Sequence, residues 1–163
     1  MKFDTTRFGQ INVKQEEILI IPDGPLGFPD CTRFTLVDEE KAAPFRMLQS
    51  LDNPALAFVV VDPLMIRPDY NFNVTKSDLE LLKTEALDGL QVYAIVTMAA
   101  ELQNVTVNLQ GPIVINTKNN LGHQFVLVDS SYTTKESLVQ NLDQAAQDPA
   151  VSDSEEVLQK QAV

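Results

Sequence analysis

The chain has 163 residues, with 12 Lys and Arg against 23 Asp and Glu, a formal net charge of −11 and a sequence pI near 4.4. Such a field repels polyanions, so direct binding of nucleic-acid phosphates, which needs a dense basic footprint, is excluded as a first reading. Length and composition, 44% hydrophobic and 21% charged, fit one globular domain with a real core and exclude a disordered chain.

In chain order, short β-branched and aromatic runs alternate with Gly, Pro, Asn and Asp, the pattern of many short strands in a sandwich or barrel. The runs predict strands over 8–13, 17–21, 33–37, 45–50, 56–61, 90–98, 105–109, 113–116 and 124–129. The run 56–61, Leu-Ala-Phe-Val-Val-Val, does not alternate and is expected at the centre, covered on both faces. By contrast, Val105, Val107 and Leu109 alternate with Asn104, Thr106 and Asn108, which suits a half-buried antiparallel strand.

Two helices are expected. Thr75-x-x-Asp78 or Ser77-x-x-Glu80 caps the first, with Leu79, Leu82 and Leu87 turned inward. The second starts near Thr133 or Thr134, carries Leu138, Leu142, Ala145 and Ala146 on one stripe, and ends before Asp148-Pro149. Residues 136–163 hold Glu136, Asp143, Asp148, Asp153, Glu155 and Glu156 against Lys160 alone, so nearly half the excess negative charge lies there. The expected organisation is a β-barrel domain with its C-terminal helix over 1–147, followed by an acidic tail, 148–163, that is disordered or a frayed helix.

A single cysteine, Cys31, can form no internal disulfide, which points to a reducing compartment. The first residues hold no apolar leader core, and 56–61 is too short to span a bilayer. A cytoplasmic protein without a membrane partner is expected.

Catalytic chemistry is hard to assemble from this sequence. His123 is the only imidazole and lies about ninety residues from Cys31, so the two form no nucleophile–base signature; His123 reads as a turn residue. Asp38-Glu39-Glu40 lacks the spacing of a calcium loop. The segment Asp23-Gly24-Pro25-Leu26-Gly27-Phe28-Pro29 lacks the Gly-Lys-Ser/Thr ending of a phosphate loop, and its prolines remove donors; it reads as a rigid turn with Phe28 tucked beneath it. No catalytic residue, cofactor or metal is therefore expected. What remains are polar residues where strands give way to turns: Gln49-Ser50, Asp62, Asp69-Tyr70, Asn108 and Gln124. They either satisfy backbone groups at barrel corners or form a recognition surface.

The order of the motifs narrows this choice. Phe8-Gly9-Gln10-Ile11-Asn12-Val13, then Gly24-Pro25-Leu26-Gly27-Phe28, then the block from Pro44 to Phe58 with Leu48-Gln49-Ser50, then Asp62-Pro63 to Asp69-Tyr70, then Val105 to Asn116 with Asn108-Leu109-Gln110-Gly111-Pro112, and Gly122-His123-Gln124 follow one another. In that order and spacing the chain resembles the FliW family of flagellar assembly factors over about residues 3–140. It departs from the family at two turns, where Gly24-Pro25-Leu26-Gly27-Phe28 replaces Gly-Leu-Pro-Gly-Phe and Gly111 replaces an alanine.

The resemblance implies a mainly β protein: a small, partly open antiparallel β-barrel with one short internal helix and a C-terminal helix. It implies a non-enzymatic factor, monomeric when free, with two protein partners, flagellin and the CsrA-type RNA-binding translational repressor. Flagellin holds the factor until it is exported; the freed factor then captures the repressor and restores flagellin translation. Partner-binding residues expected on this basis are Gln49, Asp62, Asp69, Tyr70, Asn108, Pro112 and Gln124. The acidic balance suits a basic RNA-binding partner. A small-molecule-binding barrel sensor is the alternative reading.

Overall fold

The computed structural model describes residues 1–147 and 158–160. In chain order the first six strands are β1 (Lys2–Thr5), β2 (Gly9–Asn12), β3 (Leu19–Ile20), β4 (Arg33–Val37), β5 (Arg46–Ser50) and β6 (Ala57–Val61). They are followed by β7 (Phe72–Val74), α1 (Lys76–Leu81), β8 (Leu90–Thr97), β9 (Thr106–Asn116), β10 (Leu121–Gln124), β11 (Glu136–Ser137), α2 (Leu138–Gln147) and β12 (Leu158–Lys160).

Seven strands close a barrel in the order β10-β3-β4-β5-β6-β8-β9, with β9 pairing back onto β10. Neighbours are antiparallel except at one seam, where β10 meets β3 in parallel through a single pair, Leu121↔Ile20. The mainly β barrel is as expected, but it is closed rather than partly open, and the closure is this one short seam. Asn120, in the left-handed region at φ +62°, turns the chain into β10; its side chain donates to Glu16 O at 2.7 Å and its carbonyl accepts from Ile20 N at 2.9 Å.

Alternation along the strands makes two apolar layers. Ile21, Phe34, Leu48, Val60, Tyr93, Ile113 and Ile115 fill the barrel. The opposite faces, with Val61, Val92, Ala94, Val96, Val107 and Val114, are roofed by Ile66, Tyr70, Phe72, Val74, Leu79, Leu82 and Leu138. The run 56–61 is indeed served on both sides, since Val60 points into the barrel and Val61 into the roof. A third cluster, Val13, Ile18 and Leu51 with Phe3 and Ile11, seats the β1–β2 hairpin.

Of the two caps read from the sequence, Thr75 is the one used. Its hydroxyl accepts from Asp78 N at 3.1 Å while the Asp78 carboxylate accepts from Thr75 N at 2.9 Å, a reciprocal box that satisfies two amides of α1. Leu79 and Leu82 are buried and Leu87 packs against the same layer.

Five further expectations need correction. The second helix starts at Leu138 rather than 133–134, because Glu136–Ser137 is taken by β9, pairing with Val107 and Thr106. Leu142 is 42% exposed, since only the start of α2, Leu138, reaches the core. The runs 105–109 and 113–116 are one strand with a corner, and 124–129 contributes only Gln124 to β10. Phe28 is not tucked beneath its turn; it is 37% exposed and lies edge-on against Phe58, centroids 5.5 Å apart. The expected tail, 148–163, lies outside the described residues except for Leu158–Lys160, which pairs in parallel with β7.

Candidate functional site

The corner in β9 organises the region where most of the sequence-derived site residues fall. Opposite β8, Tyr93 pairs with Ile113 but Ile95 pairs with Asn108, so residues 109–112 bulge against Ala94 alone. A bulge of this kind frees backbone groups from the ladder, and each must find another partner.

Those partners are largely the residues read from the sequence. The Asn108 carboxamide oxygen accepts from Gln110 N at 3.1 Å and Gly111 N at 2.8 Å. The buried Tyr70 hydroxyl donates to Leu109 O at 2.8 Å, and Gln124 Nε2 donates to Gly111 O at 3.0 Å. Pro112 sits where no ladder donor is required, and its carbonyl accepts from Phe125 N at 2.9 Å. Leu127 N donates to Gln110 O at 2.8 Å, and Thr133 O takes both Leu109 N and Gln110 N. Tyr70, Asn108, Pro112 and Gln124 thus converge on one corner, where their polar groups are spent on backbone.

The corner in turn holds a loop. Gln124 Oε1 accepts from Leu26 N at 2.8 Å, 98 positions earlier in the chain, and so fixes the 24–28 turn against the start of the 125–128 segment. Gly24 makes that turn possible: its φ is +67°, and a Cβ there would lie 2.1 Å from Phe28 O. Pinned in this way, Leu26 stands 59% exposed, with Phe28 beside Phe58, and Val126 and Val128 are exposed at 49% and 74%. Asp23, Pro25, Leu26, His123, Phe125 and Val126 line a shallow groove between turn and segment. His123 packs edge-on against Phe125 at 4.7 Å, with its Nδ1 3.8 Å from the Asp23 carboxylate.

The remaining site residues lie apart from this groove. Asp62 caps the short helical turn Pro63–Met65, accepting from Leu64 N at 3.0 Å, a role written in the Asp-Pro dipeptide. Asp69 is exposed and sits 3.4 Å from Arg67, which also donates to Glu136 at 2.9 Å and lies over the Tyr132 ring at 4.9 Å. Burial, with Tyr132 and Glu136 nearby, pushes the Tyr70 phenol well above its ordinary range, so it stays a donor. Gln49 has no exposed surface: its Nε2 serves Ser50 O, Leu56 O and Pro54 O at 2.9–3.3 Å, clamping the β5–β6 turn, while its Oε1 has no partner. Gln49 therefore presents nothing to a partner in this conformation, and Tyr70 is equally enclosed.

The exposed apolar residues Leu26, Phe28, Val126 and Val128 were not singled out from the sequence. The run 125–128, Phe-Val-Leu-Val, has no polar alternate, the pattern that elsewhere in the chain reads as covered on both faces, so the sequence carried no sign that Val126 and Val128 are exposed. Among the described residues no group of three or more His, Cys, Asp or Glu side chains is placed to hold a metal ion, and no helix is long and apolar enough to cross a membrane.

A closed seven-stranded barrel with a filled interior, an outer apolar roof and an apolar loop surface is the class of domain these features define. The FliW protein family model matches residues 2–138, and the chain belongs to that family. It is 45% identical over 150 residues to the flagellar assembly factor FliW of Geobacter sulfurreducens, covering 92% of each chain. The corresponding factor of Alkaliphilus metalliredigens is 40% identical over 143 residues, 87% of this chain and 88% of the relative. A crystal structure of the flagellar assembly factor FliW superposes with a TM-score of 0.79 at 35% identity, covering 85% of this chain and 96% of that one.

Proposed function

We propose that the protein is a cytoplasmic, non-enzymatic flagellar assembly factor that binds flagellin and a CsrA-type RNA-binding repressor in turn. Binding the repressor relieves its block on flagellin translation, and binding flagellin withdraws the factor until subunits are exported. The observation that carries this reading is identity of 45% along nearly the whole length of a relative named a flagellar assembly factor. Two features of the chain support it. The net charge of −11 favours a basic partner and repels RNA from a surface it covers, through acids near the contact because screening acts within about 10 Å at 0.1 M salt. The Leu26, Phe28, Val126 and Val128 surface offers an apolar seat for an amphipathic helix, the form expected of flagellin termini. The barrel interior is filled with side chains, which weighs against a ligand held there and so against the small-molecule sensor reading.

Pull-down from a lysate of flagellated cells is expected to recover both flagellin and the small repressor, and recovery of neither overturns the proposal. Exposed Asp69, among the expected partner contacts, is suited to charge reversal because it holds no backbone group in place. Asp69→Lys is expected to weaken displacement of RNA from the repressor; an unchanged competition curve removes Asp69 from the contact.

A further inference from the structure

Among the described residues, the side chains of β7 anchor it through one face. Phe72 and Val74 are buried in the roof while Asn73 between them is exposed, the alternation of a strand with one face in the core. Side chains tie both ends: Asn71 N donates to the Tyr132 hydroxyl at 3.1 Å, and Thr75 N to the Asp78 carboxylate at 2.9 Å. Among the described residues its backbone edge has one strand partner, β12, running parallel with Leu158↔Phe72, Gln159↔Asn73 and Lys160↔Val74.

β7 keeps its place through its own buried side chains and capped ends. β12 belongs to a separate two-stranded sheet outside the barrel and is attached to β7 by a three-residue parallel ladder. A pair of that length is marginal in water, and parallel pairing is the weaker kind. Remove β12, and a rigid strand presents a row of open N–H and C=O groups, the template on which extended peptides add.

We propose that the β7 edge is a strand-addition site for an extended peptide segment, and that Leu158–Lys160 is its tethered, displaceable occupant. The register states what a replacement needs: consecutive residues entering parallel to β7 with their N–H groups free, hence no proline at the paired positions. A tethered strand acts at an effective concentration on the order of mM, so the site is closed at rest. A partner segment opens it by competing at comparable local concentration, once the partner is already docked elsewhere on the barrel.

The test uses the full chain and its Leu158→Pro/Gln159→Pro variant, which removes the N–H groups of two successive β12 residues and leaves every barrel residue in place. The probe is a fluorescently labelled synthetic peptide of residues 155–163. An occupant in place nine-tenths of the time lowers apparent affinity about tenfold, so the variant is expected to bind the peptide roughly tenfold more tightly than the parent. Amide exchange at 72–74 is expected to speed up in the variant and to slow again when peptide is added. Equal peptide affinity for the two chains, or exchange at 72–74 unaltered by the prolines, overturns the proposal.

Discussion

Tyr70 and Leu109 are joined inside the roof by a hydrogen bond of 2.8 Å, phenol to carbonyl, that ties the end of the Asp62–Tyr70 segment to the corner in β9. The ring also contacts Phe72 and Tyr132, at centroid distances of 5.7 and 4.6 Å. Tyr70→Phe keeps the ring and deletes only the donor, leaving the carbonyl buried and unpaired at a cost of about 1–3 kcal/mol. Urea unfolding of the two proteins measures it. Because the folded phenol ionises only above its ordinary range, its contribution is complete below about pH 10 and declines above that, where the unfolded phenol ionises. The gap between Tyr70→Phe and parent is therefore expected to shrink in alkali.

Gln124 spans two elements with one amide, giving to Gly111 O and receiving from Leu26 N. Gln124→Ala strands both groups and is expected to cost about 1–3 kcal/mol. The sharper readout is local: the Leu26 amide should exchange much faster, whereas continued protection there would show that the turn is held by something other than this residue.

Two glycines with the same φ of +67° predict different outcomes. At Gly9 a Cβ meets nothing within 4 Å, and Gly9→Asn is expected to cost only about 1 kcal/mol, the backbone strain of a left-handed position that asparagine tolerates better than most residues. At Gly24 the same substitution drives Cβ onto Phe28 O and is expected to cost roughly 3 kcal/mol or more. Melting temperatures of the two variants separate backbone preference from steric room.

These features show where the sequence was readable. Local chemistry was legible: the Thr75 cap, the alternation around Val107, and the run ending in Val60 and Val61 all follow from neighbours a few positions apart. The corner at 109–112 was not, because the bulge arises from how β9 meets β8, and distant segments answer its backbone: Tyr70 and Gln124 donate to its carbonyls, and Thr133 O accepts from its amides. The same blindness affects the site residues. Tyr70, Asn108 and Gln124 stand out in the sequence as polar groups at strand ends, and in the structure their side chains bond the backbone of the corner and of the turn beside it. Short β7, β11 and β12 carry too few residues for a periodic signal.

Acid titration should expose the link between β4 and the β5–β6 turn. Burial alone would raise the Asp52 carboxyl, but bonds from Arg33 N, the Arg33 guanidinium and Thr32 N outweigh it and hold the group below its usual value. A lowered folded value means stability that is full above about pH 4, the ordinary range, and is lost as pH falls through the folded one. Asp52→Asn is expected to lower the unfolding midpoint at pH 7, with the difference from parent narrowing toward pH 2.

Surface substitutions test the apolar seat separately from the fold. Leu26 and Val128 are both exposed, so Leu26→Asp and Val128→Asp are expected to shift stability by no more than about 0.5 kcal/mol. If flagellin uses this face, each lowers its affinity by roughly tenfold or more, as loss of an apolar anchor does. Titration calorimetry with purified flagellin decides, and full-strength binding by both variants places flagellin elsewhere.

The single Leu121↔Ile20 pair that closes the barrel has a consequence for synthesis on the ribosome. The Asn120 side chain that supports it reaches back across 104 positions to Glu16. At about 5–20 residues per second, the β3 edge emerges roughly 5–20 s before the strand that covers it. During that interval a newborn chain exposes the very edge that the finished protein hides, so the rate of elongation, as well as stability, governs how much of it escapes aggregation.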